Sequence, residues 1–164
     1  MGADELWVES YQGEVLGETL FGVLAGREAD PAHRRQLEVL TLLERSTKDL
    51  AEPVFERRAL DRGDTAATVT AATGLADAVA AMTWEDFLGS FEGVTVEFLA
   101  KYRQLVDLAD DETERDIATS YVAHEEALRA FARRALGQEP GEPLEPILAL
   151  RHVAAAVHAS AVGS

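Results

Sequence analysis

The sequence predicts an all-α protein folded as a four-helix bundle. Three observations carry that expectation. Alanine and leucine abound, runs of β-branched residues are scarce, and apolar residues recur at three- and four-residue steps over long stretches. The chain has 164 residues, which suits one domain spanning 1–164. A domain of this size buries roughly 70% of its unfolded surface, enough for a core that needs no cross-links.

The first helix is expected over residues 4–26, where Trp7, Tyr11, Phe21 and Ala25 share one stripe and Leu16, Leu20, Val23 and Leu24 cover a second face. Asp30 and Pro31 read as the N-cap and first turn of the next helix, expected over 31–60 with Leu37, Leu40, Ala51 and Phe55 inward. Together they make an antiparallel hairpin. The signal weakens over 61–82: DRGDT is a turn, and the Ala/Thr stretch with Gly74 inside it reads as an interrupted helix in a long connection over 61–90. Within that connection Thr83 followed by Trp84, Glu85 and Asp86 resembles a capping box opening a short helix.

A third long helix is expected over 91–109 with Val94, Phe98, Tyr102 and Leu105 inward, ended by ADDET. A fourth spans 112–136, its stripe formed by Ile117, Tyr121, His124, Leu128, Phe131 and Ala135, with Gly137 as a stop. The bundle thus covers 4–137. A Pro/Gly-punctuated linker and an accessory helix fill 138–164, and the apolar run around Val157 packs on the bundle or on another subunit. Two hairpins joined by a long crossover distinguish this topology from a simple up-down bundle.

Composition narrows the function classes. Thirty acidic against 15 basic residues give a net charge of −15, which repels phosphate backbones and anionic lipid surfaces, so neither nucleic acid nor membrane is an expected partner. The absence of cysteine excludes thiolate ligands and a Cys nucleophile and suits a reducing cytoplasm. Any metal would have to be held by Glu, Asp and His. No apolar stretch approaches the roughly 20 residues that cross a bilayer.

The chief anomaly is polar. Glu14 and Glu18 sit on the first helix's inward stripe, Glu44 takes the stripe position between Leu40 and Ala51 with Thr47 one turn on, and His124 lies between Tyr121 and Leu128. Glu125 falls on the flank of that stripe, and Glu126 further toward solvent. Glu14 lies 16 residues before Asp30 and Glu44 14 after it. At about 1.5 Å per residue their heights differ by only about 3 Å. His124 is 13 residues beyond Asp111, a similar depth in the second hairpin. Clustered buried carboxylates must protonate, pair with cations or bind metal. Glu14, Glu18, Glu44 and His124 are therefore the candidate metal ligands, and carboxylate oxygens with one imidazole suit iron or manganese.

The segments YQGEVLGETLF, LEVLTLLERST and YVAHEEALRAF resemble the first, second and fourth bundle helices of the ferritin-like superfamily, in particular its small rubrerythrin-like bacterial members. That resemblance implies a di-iron site in which two helices give one Glu each and the other two a Glu-x-x-His pair. It also implies oxygen or peroxide oxidoreduction, or metal handling. The ligand set is incomplete here: Thr47 stands where the second-helix His is expected and Tyr121 where the fourth-helix Glu is expected. Glu14 or Glu18 stands for the first-helix ligand. The third-helix stripe holds Thr95, Phe98 and Tyr102, with Glu97 nearer solvent. The alternative is a metal-free bundle acting as an interaction or assembly module, its carboxylates paired internally.

The remaining features read more simply. Tyr11, Tyr102 and Tyr121 are expected core aromatics whose hydroxyls find carboxylates. His33, His152 and His158 have no ligand spacing. The acidic turn at Asp107, Asp110, Asp111, Glu112 and Glu114 lacks the pattern of a calcium loop and reads as solvated. A homo-oligomer through a bundle face or the C-terminal helix is the expected form of self-association.

Overall fold

The computed structural model describes residues 1–163; Ser164, the last residue of the expected accessory segment, lies outside them. The described residues form helices and connections, with no strand among them. Helix α1 (Ala3–Arg27) and α2 (Pro31–Leu50) make the first hairpin. Asp30 caps α2 by accepting from the Ala32 and His33 amides at 2.8 and 3.0 Å. The pairings Glu18 with Arg45 and Gly22 against Thr41 run in opposite order along the two helices, and Tyr11 meets Glu52 just beyond α2, so the helices are antiparallel.

The second helix is shorter than its sequence periodicity predicts. Pro53 has no amide hydrogen, the ladder breaks at Ala51, and a separate α3 (Glu52–Arg58) follows. It ends on Ala59 in the left-handed conformation, φ 51°.

The Ala/Thr stretch is a continuous helix, α4 (Thr65–Ala80), not an interrupted one. Asp64 caps it through the Ala67 amide at 2.9 Å. It lies along α1: the Thr68 hydroxyl donates to Gln12 near its start, and Arg27 pairs with Asp77 at 2.7 Å near its end. Ala72 and Ala76 are fully buried, and small side chains at that spacing let the helices approach closely.

Helix α5 (Trp84–Gly89) opens on Thr83, whose hydroxyl accepts from the Asp86 amide at 3.1 Å. Its Trp84 stacks on His33 with ring centroids 4.1 Å apart. Helix α6 (Phe91–Asp107) and α7 (Glu112–Ala135) form the second hairpin. Its open end is tied by Glu92 to Arg129 and Arg133, and its middle by the Tyr102–Tyr121 ring contact at 5.0 Å. The inward face of α6 is carried by Phe91, Thr95, Leu99, Tyr102 and Leu105, while Val94 is half-exposed.

The turn between α6 and α7 is not simply solvated. Arg58 binds Glu114 at 2.5 Å, Asp110 at 2.5 Å and Asp4 at 2.7 Å, and Arg57 binds Asp111 and Glu114. The chain ends in α8 (Glu145–Leu148) and α9 (Arg151–Val162). Ile147 and Val153 are buried against the bundle, whereas Val157 and Val162 face solvent. No helix among the described residues is long and apolar enough to cross a membrane.

The core is divided in two. One apolar cluster gathers Phe21, Leu40, Leu43, Phe91, Leu128 and Phe131; the other gathers Trp7, Tyr11, Phe55, Tyr102, Leu105 and Tyr121. Between them, at the level of Glu14 on α1, Glu44 and Thr47 on α2, Thr95 on α6, and His124 and Glu125 on α7, lies a layer of buried polar residues.

Candidate metal centre

Glu14 and Glu44 reach this layer from one hairpin and His124 from the other. The His124 Nδ1 lies 3.4 Å from Glu14 Oε2, and its Nε2 lies 3.4 Å from Glu44 Oε1. All three residues are buried, and one donor atom from each lies within 4.8 Å of the others. Two donors on a shared ion at about 2.1 Å each stand at most about 4.2 Å apart, so a small rotamer adjustment would let the three meet on one ion. Two atoms of the cluster, Glu14 Oε2 and His124 Nε2, are buried without a hydrogen-bond partner. Buried polar atoms in a folded protein nearly always have partners: a proton shared between Glu14 and Glu44 serves their carboxyls, and carboxylate oxygens with an imidazole nitrogen are the donor types of an iron or manganese site.

The surroundings fix each ligand's orientation. The Tyr102 hydroxyl donates to Glu14 Oε1 at 3.0 Å, leaving Oε2 to face His124. Glu44 passes close to α1 at Gly17, where a Cβ would collide with its carboxylate. Thr47 Oγ1 lies 2.9 Å from His124 Nδ1 and 2.9 Å from Nε2 of His152 on α9. One hydroxyl proton serves only one imidazole. When Thr47 donates to His152, His124 donates to Thr47 through Nδ1–H, and its Nε2 lone pair is bare toward Glu44. That is the tautomer a metal ligand requires.

Burial dominates the electrostatics. It raises the Glu14 carboxyl well above its ordinary range, with His124 opposing and Glu44 adding to the effect. It raises Glu44 to about 8. Glu125 is raised to about 8 for the same reason, and its Oε2 is also without a partner. Burial, and then His124, lower His152 to about 4, so this imidazole is neutral at pH 7.

Of the four ligands expected from sequence, the structure brings together Glu14, Glu44 and His124. Glu18 is not among them: it stands at the α1–α2 edge, paired with Arg45 at 2.7 Å and with Lys48, which hold its carboxyl below the usual range despite desolvation. A step from Glu14 to Glu18 turns the helix about 40° further, and Gly17 takes the buried position instead. Sequence reading missed Glu125, which is 4% exposed and not on an outer flank, and His152, whose role depends on where α9 docks. Glu97 is exposed and pairs with Lys101, as its position predicts. Thr47, in the position where a His is expected, relays to His152. Tyr121, where a Glu is expected, buries a hydroxyl that has no partner.

The layer is reached through an apolar cavity of about 390 Å³ between α1 and α6, roofed by α4. Leu16, Leu20, Leu75, Phe91, Val94 and Phe98 line it, and Glu14, Glu44 and Glu125 lie on its wall. No family model, curated protein or solved structure matches the chain.

Proposed function

We propose that the chain is a ferritin-like metal protein in which Glu14, Glu44 and His124 hold a single iron or manganese ion. The observation that carries this reading is the convergence of three buried donors, with one donor atom each from Glu14, Glu44 and His124 lying within 4.8 Å of one another. Carboxylate oxygens with one imidazole match the preferences of these metals. With neither Glu-x-x-His pair complete, a second ion has no comparable donor set, so the centre is mononuclear. Bound there, the metal would supply oxygen or peroxide activation at its open coordination positions.

The chain's own part is to prepare the donors. Glu14 and Glu44 give up their protons when a cation enters, Tyr102 holds Glu14 so that one oxygen is free, and Thr47 holds His124 in the Nδ1–H tautomer. The apolar cavity keeps bulk water from the layer while admitting a small neutral reactant.

A metal-free reading also has an observation in its favour. His124 between Glu14 and Glu44, with one carboxyl keeping its proton, forms an internally paired triad that needs no metal. Anaerobic loading of the full chain with Fe(II) or Mn(II), desalting and elemental analysis separates the two. About one ion per chain, lost in Glu44→Gln, is the expected result. No retained metal in the wild type overturns the proposal and leaves the triad.

A further inference from the structure

We infer that the cavity between α1 and α6 is a binding site for a small apolar amine, whose ammonium group pairs with Glu125. The proposal goes beyond the metal centre, because Glu125 is not one of the three proposed ligands and would keep its free oxygen with an ion in place.

Three observations carry it. The cavity, about 390 Å³, falls in the range of small-molecule sites, and its lining is overwhelmingly aliphatic and aromatic. Its rim is open and apolar: Leu75, Met82 and Val94 are each about two-fifths to one-half exposed, at 41%, 42% and 49%. An apolar molecule entering there covers side chains that water otherwise wets. Finally, the carboxyl and phenol groups of Glu14, Glu44, Glu125 and Tyr102 are the only ionisable groups on the wall; Lys, Arg and His are absent from it.

That charge pattern selects the ligand's head group. An anion such as a fatty carboxylate would meet three carboxyls and no countercharge, which disfavours it strongly in a low dielectric. Glu125 is 4% exposed and has an oxygen with no hydrogen-bond partner. An ammonium group supplies both the missing donor and the countercharge that lets the Glu125 carboxyl release its proton to solvent, and a charge-assisted bond inside an apolar wall is stronger than one in water. A neutral alcohol supplies the donor alone. Glu14 is engaged by Tyr102 through Oε1 and turns Oε2 to His124, and Glu44 lies against Gly17 and His124, so Glu125 is the carboxyl left for the head group.

The test is calorimetric titration of the full chain with n-octylamine, 1-octanol and sodium octanoate. Octylamine is expected to bind saturably, octanol at least about tenfold more weakly, and octanoate not at all. Glu125→Gln, which keeps the side chain's shape, is expected to lower octylamine affinity at least about tenfold while leaving Fe(II) or Mn(II) uptake intact. Val94→Trp, at the exposed rim, is expected to block amine and alcohol alike. Octanol or octanoate binding as tightly as the amine, unchanged amine affinity in Glu125→Gln, or no saturable amine binding would each overturn the proposal. Amine binding without metal uptake would sustain it while removing the metal reading.

Discussion

The Thr47 hydroxyl lies 2.9 Å from Nδ1 of His124, and by accepting from Nδ1–H it leaves the Nε2 lone pair toward Glu44. Thr47→Val keeps the shape but removes the acceptor, so a buried Nδ1–H loses its partner and the other tautomer gains. Metal affinity is expected to fall about 10–100-fold, the usual consequence of losing a ligand's supporting hydrogen bond, with helical content unchanged. Competition titration against a chelator of known affinity measures it. Equal affinities would mean that Thr47 does not orient His124.

Gly17 and Gly22 make a paired test on one helix. A Cβ at Gly17 would collide with the Glu44 carboxylate, whereas one at Gly22 would meet Thr41 Cγ2 at an ordinary 3.7 Å. Gly17→Ala is therefore expected to cost about 1–3 kcal/mol and to displace Glu44 from the cluster. Gly22→Ala is expected to stabilise by about 0.5–1 kcal/mol, because alanine restricts the unfolded chain and favours helix. Urea denaturation of both variants reads the difference in sign.

The parts of this molecule legible in sequence are those governed by local periodicity. Glu14, Glu44 and His124 were readable because each interrupts an apolar stripe at a matching depth from its own turn. Glu18 was misplaced because a stripe of sequence letters does not distinguish a core position from one about 40° away, where Arg45 and Lys48 stand ready. Glu125 was misread for the converse reason: its flank of α7 faces the cavity beside α1 and α6, not solvent. Helix α4 left little signal because it docks through Ala72 and Ala76, which carry no strong amphipathic pattern. His152 was invisible because its partner, Thr47, lies 105 residues away, and only the docking of α9 joins them.

The Arg58 network predicts a second stability contrast. Glu114 is fully buried and held down to about 2 chiefly by its hydrogen bond to Arg58. Arg58→Met leaves that carboxylate with Arg57 as its remaining cationic partner and is expected to destabilise by about 2–4 kcal/mol. The Glu92 pairs with Arg129 and Arg133 are solvent-exposed, so Glu92→Ala is expected to cost less than about 1 kcal/mol. Thermal denaturation at pH 7 compares them; similar losses would contradict the burial argument.

Stability is expected to fall as pH rises above neutrality, the direction opposite to ordinary acid denaturation. Burial raises Glu44 and Glu125 from 4.5 to about 8, and raises Glu14 in the same direction. For a carboxyl whose value is higher in the folded state, the folded protein binds more protons than the unfolded one between the two values. Its stabilising contribution is complete below the lower value and is lost as pH rises through the higher. Other shifted groups act outside the upper window. Glu92 and Glu114, lowered to about 2, have delivered their stability by pH 4.5. His152, lowered from 6.5 to about 4, adds stability only as pH climbs between those values. From pH 6.5 to about 8.5 the buried carboxyls therefore act without opposition from these groups, and the chelator-treated protein is expected to lose stability steadily across that range. A cation at Glu14, Glu44 and His124 must displace the same protons, so metal affinity is expected to rise over the interval in which the metal-free fold weakens. Urea midpoints at several pH values, for the wild type and for Glu44→Gln, measure the effect. The variant is expected to show a shallower fall and a higher midpoint above pH 8. A wild-type midpoint that stays level or rises between pH 6.5 and about 8.5 would show that these carboxyls are already ionised in the fold.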